Sequence, residues 1–588
     1  MRLKTVGVCN GFAVESDVGL KVTGSTKQVN QDVTDFLFDF EWDPAEVQKD
    51  SRFALHYFEP LKDAYCMWHP NTNQKRVLDG CWLLHHYSQL TRSAPVAVIF
   101  NAQDMNTVTV SVSEAKRHLE FHLGTDDDKD ELRCDVEVPL FQYGTISSAS
   151  FVVRFDRRKV RYEQTLKAAA DWLDEMNGVK PMTVPAQARM PLYSSWYAFH
   201  QNINRKTIEK ECRIAAEMGL KSIILDDGWQ MDESGCGYLY TGDWEISEKK
   251  FPDFKQHVRN VHAIGLKYVL WFSVPLIGQK SKRIHEFRDK LLTSNDSYGT
   301  LDPRYPEVRR FLVDLFRKFM KEYDLDGFKL DFIDRFRIYD ENIIRPGMDY
   351  VCVQEATERL MQDITDSLTA IKPEVLIEFR QPYISPLMRR YGNMLRVGDC
   401  SLDAISNRIG VADIRLLTPD RAVHGDMLTW NNVETVENAA LQILAVLFGV
   451  IQVSKVVSEM TEEHRRMTEF WIGFAMKHEK ILQESGFIAE EPDQMYPVLR
   501  GFDDDEEIIG VYARNKIVNI AVSRRSTIIV NATQDEHLYL WLEKEQCAEI
   551  VVRNTFGEEV SRENRHFTAG VTVHACPKSG LIEMTRNT

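Results

Sequence analysis

No run of about 18 uncharged apolar residues occurs in this chain, so no segment is expected to cross a bilayer as a helix. The opening Met1-Arg-Leu-Lys-Thr-Val-Gly7 has no apolar core of the kind a secretory leader carries. Also missing is any Cys-x-x-Cys pair: the ten cysteines are scattered singly, so neither a disulfide framework nor a zinc site is expected. Reduced, mostly buried thiols and a cytoplasmic location follow as expectations. There is no clustered run of Lys and Arg, and the formal charge is −16, which argues against nucleic acid as the main ligand. No Gly-rich phosphate turn follows the first predicted parallel strand, which disfavours a doubly wound nucleotide-binding sheet. Nor do His200, His424 and His464 form a His-x-His or His-Glu-x-x-His pattern.

What is present is an ordinary globular composition, 44% hydrophobic and 27% charged, in a chain of 588 residues that is too long for one core. Residues 1–185 read as short alternating segments such as Thr107 to Ser113 and Ser150 to Phe155, the pattern of a β-sandwich. A helix near Tyr162 to Met176 and the Pro-containing segment Lys180 to Ala186 close this region. Over 186–488 helical patterns alternate with short apolar runs. Eight strands can be placed, at Tyr193 to Trp196, Ser222 to Leu225, Lys267 to Trp271, Gly327 to Leu330, Val375 to Glu378, Asn393 to Val397, Arg421 to His424 and Phe448 to Val453. Eight β/α units in about 300 residues suit a (β/α)8 TIM barrel. Short strands return over 489–588 as a small C-terminal antiparallel β domain, giving an α/β chain whose central barrel lies between two β domains.

In such a barrel the chemistry sits at the C-terminal ends of the strands. Here those ends are acidic: Asp226 and Asp227 close the second run, Asp331 the fourth, Glu378 the fifth and Asp399 the sixth. A carboxylate directly after a buried apolar run needs a partner or a function, because desolvating it alone is costly. Lys329 and Asp331, two apart, share one side of the pleat, so the ammonium is expected to keep Asp331 ionised. Asp399 has no cation on its own strand face and is expected to keep a raised pKa. Two carboxylates in opposed environments are what glycosidic cleavage uses, one attacking C1 and one protonating the leaving oxygen. Trp196, Tyr197, Trp229, Trp271, Tyr383 and Trp430 lie at or just past strand ends, where rings can stack on apolar sugar faces.

The segments Leu225-Asp-Asp-Gly-Trp-Gln230, Asp326-Gly-Phe-Lys-Leu-Asp331 and Arg396-Val-Gly-Asp-Cys-Ser-Leu-Asp403 resemble motifs of the α-galactosidases of glycoside hydrolase family 36, the melibiase-like clan. The resemblance implies a retaining, exo-acting α-glycoside hydrolase with Asp331 as nucleophile and Asp399 as acid/base. It implies that Asp226 and Asp227 bond the sugar's O4 and O6 hydroxyls and that Lys329 contacts a ring hydroxyl. Trp196, Trp229, Trp271, Glu378, Arg380, Tyr383 and Arg396 are expected to line the sugar site, with no cofactor and no metal. Asp403 is expected to orient the loop after Asp399 rather than act as the acid. Three departures surround the sugar: Glu378-Phe-Arg-Gln-Pro-Tyr383 replaces a Gly-rich segment that starts Cys-Ser and ends in Arg, Leu330 stands where Trp is usual, and Ile333 and Asp334 follow Phe332 where the family has an Asn. They predict a terminal α-galactose-like substrate recognised differently near C2. An α-N-acetylgalactosaminidase, another α-glycosidase or a transglycosylase of the same clan remains the alternative. A metal-dependent barrel hydrolase would be expected to show clustered histidines, and a non-catalytic sugar-binding protein would be marked by loss of Asp331 or Asp399. Assembly as a homo-oligomer stays open, with Trp68 the candidate to reach a neighbouring subunit's site.

Overall fold

The computed structural model describes residues 3–70, 76–78, 80, 86–337, 339, 344–521 and 523–586. Cys81, one of the thiols expected to be buried, lies outside them. The remaining cysteines are free, and no helix among the described residues is long and apolar enough to cross a membrane.

Two six-stranded sheets form the N-terminal region. Strand Val33–Trp42 turns Phe36, Phe38 and Phe40 inward at every second residue, where they meet Phe12, Phe53, Phe151 and Phe155. Ring centroids 4.3–6.2 Å apart make this an aromatic core. Helix Tyr162–Met176 follows, over the range its apolar spacing predicts.

The centre of the molecule is an eight-stranded parallel barrel made of β1 (Leu192–Ser194), β2 (Ser222–Leu225), β3 (Lys267–Ser273), β4 (Gly327–Asp331), β5 (Leu376–Arg380), β6 (Met394–Arg396), β7 (Ala422–His424) and β8 (Gln452–Val453). Pairing runs in order around the ring, and β8 pairs with β1 through Leu192–Gln452 and Tyr193–Val453. A bridge between His424 and Val450 closes the side between β7 and β8. All eight strands fall where the apolar runs place them, with one shift: the first ends at Ser194, and Trp196 instead opens a short helix, Trp196–Phe199.

Helices α1 (Arg205–Glu217), α2 (Phe254–Ile264), α3 (Pro306–Tyr323), α4 (Val353–Thr369), α5 (Ala404–Leu417), α6 (Val436–Ala445) and α7 (Glu462–Lys477) lie outside the strands. In α3, Pro306 occupies the first turn, where its missing N–H costs nothing. The helix buries Val308, Leu312, Leu315, Phe316 and Phe319, each contributing about 1.5–3 kcal/mol of apolar burial. The left-handed Asp324 ends it.

The C-terminal region has one seven-stranded and one three-stranded sheet. Most pairings are antiparallel, as expected, but Glu506–Val511 runs parallel to Ser526–Asn531, and Ile517–Ile520 parallel to His537–Leu542. The cause is connectivity: Ile517–Ile520 belongs to the smaller sheet, so the chain crosses over and returns to the larger one in its original direction.

Candidate active site

Inward side chains of β4 to β8 and the loops after the strands build two polar layers in the barrel. Lys329 and Asp331 alternate with outward residues on β4, Glu378 and Arg380 do so on β5, and register sets Lys329 beside Glu378 and Arg380 beside Arg396.

In the deeper layer Glu378 is fully buried; it accepts a hydrogen bond from Gln452 Nε2 and lies 3.7 Å from Arg396 Nε. Burial pushes its carboxyl up against the pull of Lys329 and Arg396. His424 donates through Nε2 to the Ala188 carbonyl and so presents Nδ1 as an acceptor to Gln452. Burial lowers its pKa to about 3, which keeps it neutral. Lys329 Nζ donates to Asp226 Oδ2 at 2.6 Å, while Asp226 Oδ1 accepts the Asp227 N–H. Asp227 accepts from Gln230 and Gln201, each at 2.7 Å, and burial raises it to about 6. Between these acids and the turn that follows, Gly228 has φ 116°, and a Cβ there would meet the Gln201 backbone at 2.6 Å, so only glycine fits.

In the upper layer Asp331 accepts the Trp271 indole N–H at 3.0 Å and the N–H of Phe332 at 2.8 Å. Phe332 has φ 63°, an unfavourable conformation for an aromatic residue, and it bends the chain directly after Asp331. Arg380 Nε lies 2.5 Å from Asp331 Oδ1, and Nη1 of the same guanidinium lies 3.3 Å from Asp399 Oδ2. One cation thus joins the two carboxylates. Burial pushes Asp331 up, but Arg380, Lys329 and the Trp271 indole outweigh it and hold the carboxyl below its usual range. The cation expected to do most of this was Lys329; Arg380, from the next strand, does more.

Asp399 departs from expectation. Arg396 Nη2 lies 3.0 Å away, and with Arg380 it overcomes burial to hold Asp399 below, not above, the usual carboxylate range. Arg396 is three residues before Asp399, and β6 ends at Arg396, so the chain between them is not pleated and the alternation rule does not separate them. Asp403 caps α5 by accepting the Ser406 N–H, consistent with an orienting role for the loop.

Several expected sugar contacts lie elsewhere. Trp229 is wholly buried: its indole donates to the Trp271 carbonyl and packs among Trp244, Phe272 and Phe319, between barrel and α3. Tyr383 is also fully buried, its hydroxyl donating to the Leu330 carbonyl, so it braces the strand that carries Asp331. Glu378 lies below the mouth. Trp68 cannot reach a neighbouring subunit, because its indole is buried against Asp413 and the Tyr496 hydroxyl at the junction of all three regions. Trp430 is buried as well. Arg396 and Trp271 are buried but touch Asp399 and Asp331, whereas Trp196 is half-buried and sets its edge on His200.

Two residues at the site were not foreseen. Tyr238, in the loop between β2 and α2, lies nearly parallel to Trp271 with centroids 6.4 Å apart and edge-on to Phe332. Burial, Asp227, Asp331 and Asp226 all push its phenol up. Asp426, just past β7, is fully buried, pairs with Arg396 and accepts from the Tyr197 hydroxyl. Its signal was visible: a carboxylate closing the apolar run Ala422 to His424. Among the described residues no cluster of three or more His, Cys, Asp or Glu could hold a metal ion.

The fold is therefore that of a (β/α)8 barrel with an acidic, arginine-bridged mouth. The sequence profile of the Melibiase family matches residues 179–485, and the chain belongs to that family. Alpha-galactosidase Mel36A of Lactobacillus acidophilus is 31% identical over 156 residues, which are 25% of this chain and 21% of that protein; this chain thus matches about a fifth of that relative's length. Among solved structures, a variant of the GH36 alpha-galactosidase AgaA of Geobacillus stearothermophilus in complex with raffinose superposes with TM-score 0.65 at 14% identity, covering 98% of this chain and 83% of that one. The alpha-galactosidase TtGalA of Thermus thermophilus, in complex with p-nitrophenyl alpha-D-galactopyranoside, gives 0.54 at 16% identity, covering 81% of this chain and 98% of that one. At these identities the likeness establishes the shared fold.

Proposed function

We propose that the protein is a retaining, exo-acting α-galactosidase in which Asp331 attacks the anomeric carbon and Asp399 protonates the leaving oxygen. The observation that carries this reading is the single Arg380 guanidinium in contact with both carboxylates at the barrel mouth. Asp331, held ionised, is ready to form the glycosyl-enzyme bond. Asp399, whose side chain is 58% exposed, is open to solvent, as a group that exchanges protons with a leaving oxygen and then with water must be. It gives up a proton in the first step and takes one from water in the second.

Asp226 and Asp227 offer acceptors to axial O4 and to O6, and a site built to bond a hydroxyl rejects analogues that leave its acceptors unpaired. Relatives named alpha-galactosidase and a fold neighbour holding raffinose support a galacto-configured substrate. The side chains of Arg380 and Gln381, in place of a Gly-rich segment, shape the pocket differently near C2. The free, mostly buried thiols fit a reducing compartment, and we place the protein in the cytoplasm.

The test is incubation with a 2-deoxy-2-fluoro α-galactosyl donor, followed by peptide mapping and by NMR of the first product. Labelling at Asp331 and an α-configured first product are expected. An inverted first product, or an aryl α-glucoside turned over much faster than an aryl α-galactoside, would refute the mechanism or the sugar respectively.

A further inference from the structure

We propose that Asp426 is a positioning residue for Asp399: it shares Arg396 with Asp399 and anchors the backbone directly after it, and so sets where the Asp399 carboxyl stands and how firmly Arg396 holds it. This rests on the reading of Asp399 as acid/base. The Asp426 carboxylate is completely buried, and three of its partners, Arg396, Cys400 and Tyr197, lie beside Asp399. One oxygen pairs with Nη1 of Arg396, whose Nη2 lies 3.0 Å from Asp399 Oδ1. The other accepts the N–H of Cys400, the residue directly after Asp399, at 2.7 Å, and the Tyr197 hydroxyl at 3.1 Å. Asp426 is itself clamped: its N–H donates to Asn407 Oδ1, and Asn407 Nδ2 donates back to its carbonyl, tying the end of β7 to α5.

The electrostatic logic follows from who shares Arg396. The groups facing Asp399 are Arg396 at the end of its own strand, Arg380 from β5, Lys329 from β4, Tyr197 after β1 and Asp426 after β7. Asp331 stands beyond Arg380, and the Cys400 thiol beside Asp399 is pushed up by burial and stays neutral. Three cations therefore act on Asp399, and a general acid surrounded by cations loses its proton too readily. Asp426 is the buried anion that opposes Arg396. With Asp426 neutral, the Arg396 charge falls on Asp399 alone, the carboxylate form is favoured, and the proton is lost at lower pH.

The experiment is Asp426→Asn, assayed as kcat/KM against pH with a phenyl α-galactoside, whose leaving group needs protonation, and with α-galactosyl fluoride, whose leaving group does not. The phenyl substrate should fall by about 10–100-fold at neutral pH with its basic limb moved about one unit acidward, while the fluoride substrate changes by less than about threefold. Equal losses on both substrates, or an unmoved limb, in a variant with wild-type circular dichroism would overturn the proposal. Should Asp426→Asn not fold, Arg396→Lys tests the same fork from the other side: a point charge cannot hold both carboxylates, so the basic limb with the phenyl substrate is expected to move alkaline, and an unmoved limb overturns the proposal. If the wild-type protein turns over neither substrate, the reading of Asp399 falls first. Wild-type activity with an unchanged variant profile defeats this proposal alone.

Discussion

Removing Arg380 should disturb both carboxylates at once, and in a direction that can be calculated. Around the mouth three cations, Lys329, Arg380 and Arg396, meet six carboxylates, Asp226, Asp227, Asp331, Glu378, Asp399 and Asp426. Among the six, burial raises the carboxyls of Asp227, Glu378 and Asp426. Asp331 and Asp399 are the ones held low, and Arg380 is in contact with both. An opposite charge this close lowers a carboxyl by about 1–3 pKa units, so Arg380→Ala should raise Asp331 by that amount. A nucleophile must be ionised, so activity is lost as pH falls through its pKa, and raising that pKa moves the acid limb upward. Below the limb, each unit costs about tenfold in ionised enzyme. The assay is kcat/KM against pH with α-galactosyl fluoride, which isolates the nucleophile because fluoride leaves without a proton. Arg380→Lys should give a smaller shift, since an ammonium supplies the charge without the fork. An acid limb that does not move in a folded Arg380→Ala protein would refute the assignment of Asp331, or of Arg380 as its main counter-ion.

Replacing Asp399 by Asn should slow phenyl α-galactoside by about 10²–10⁴-fold and the fluoride far less, with azide restoring part of the rate; equal losses would point to a structural role. Trp229→Ala should cost about 3–5 kcal/mol in urea unfolding while leaving KM unchanged in the folded fraction, because the ring fills the space between barrel and α3. Asp326 is held far below its usual range: burial pushes it up, but His262, the Tyr268 N–H, Lys372 and Lys267 prevail. Its contribution is therefore complete above the unfolded carboxyl value of about 3.9 and is lost as pH falls through its folded value. Asp326→Asn should be about 2–4 kcal/mol less stable between pH 5 and 7, with the gap to wild type narrowing below pH 4.

How far a sequence can be read toward its site depends on whether the relevant neighbour is near in the chain. Strand positions were readable because eight apolar runs separated by amphipathic helices leave few other packings, and Asp226, Asp331 and Asp399 were readable because each ends such a run. Partners were not. Periodicity put Lys329 and Asp331 on one face, yet the ammonium reaches across to Asp226 just past β2, and the counter-ion of Asp331 comes from β5. Pairing across strands is fixed by barrel register, which no single strand encodes.

Which way an aromatic side chain turns is likewise set by neighbours that its own strand does not encode. A tryptophan at a strand end can face the mouth or turn outward to cover the barrel wall; Trp229, directly after Gly228 with its φ of 116°, packs against Phe272 and Phe319. For Trp68 the choice is made by Asp413 and Tyr496, each more than 300 residues away in sequence. Asp426 was overlooked for the opposite reason. The rule that found Asp399, one glycine past its apolar run, applies equally to Asp426, one glycine past the run Ala422 to His424, but only the folded barrel shows it leaning on Arg396. The carboxylate that touches substrate in the proposed mechanism is thus readable from one strand. The carboxylate proposed to govern its proton also closes a run, but its hold on Arg396 appears only when β6 and β7 lie side by side.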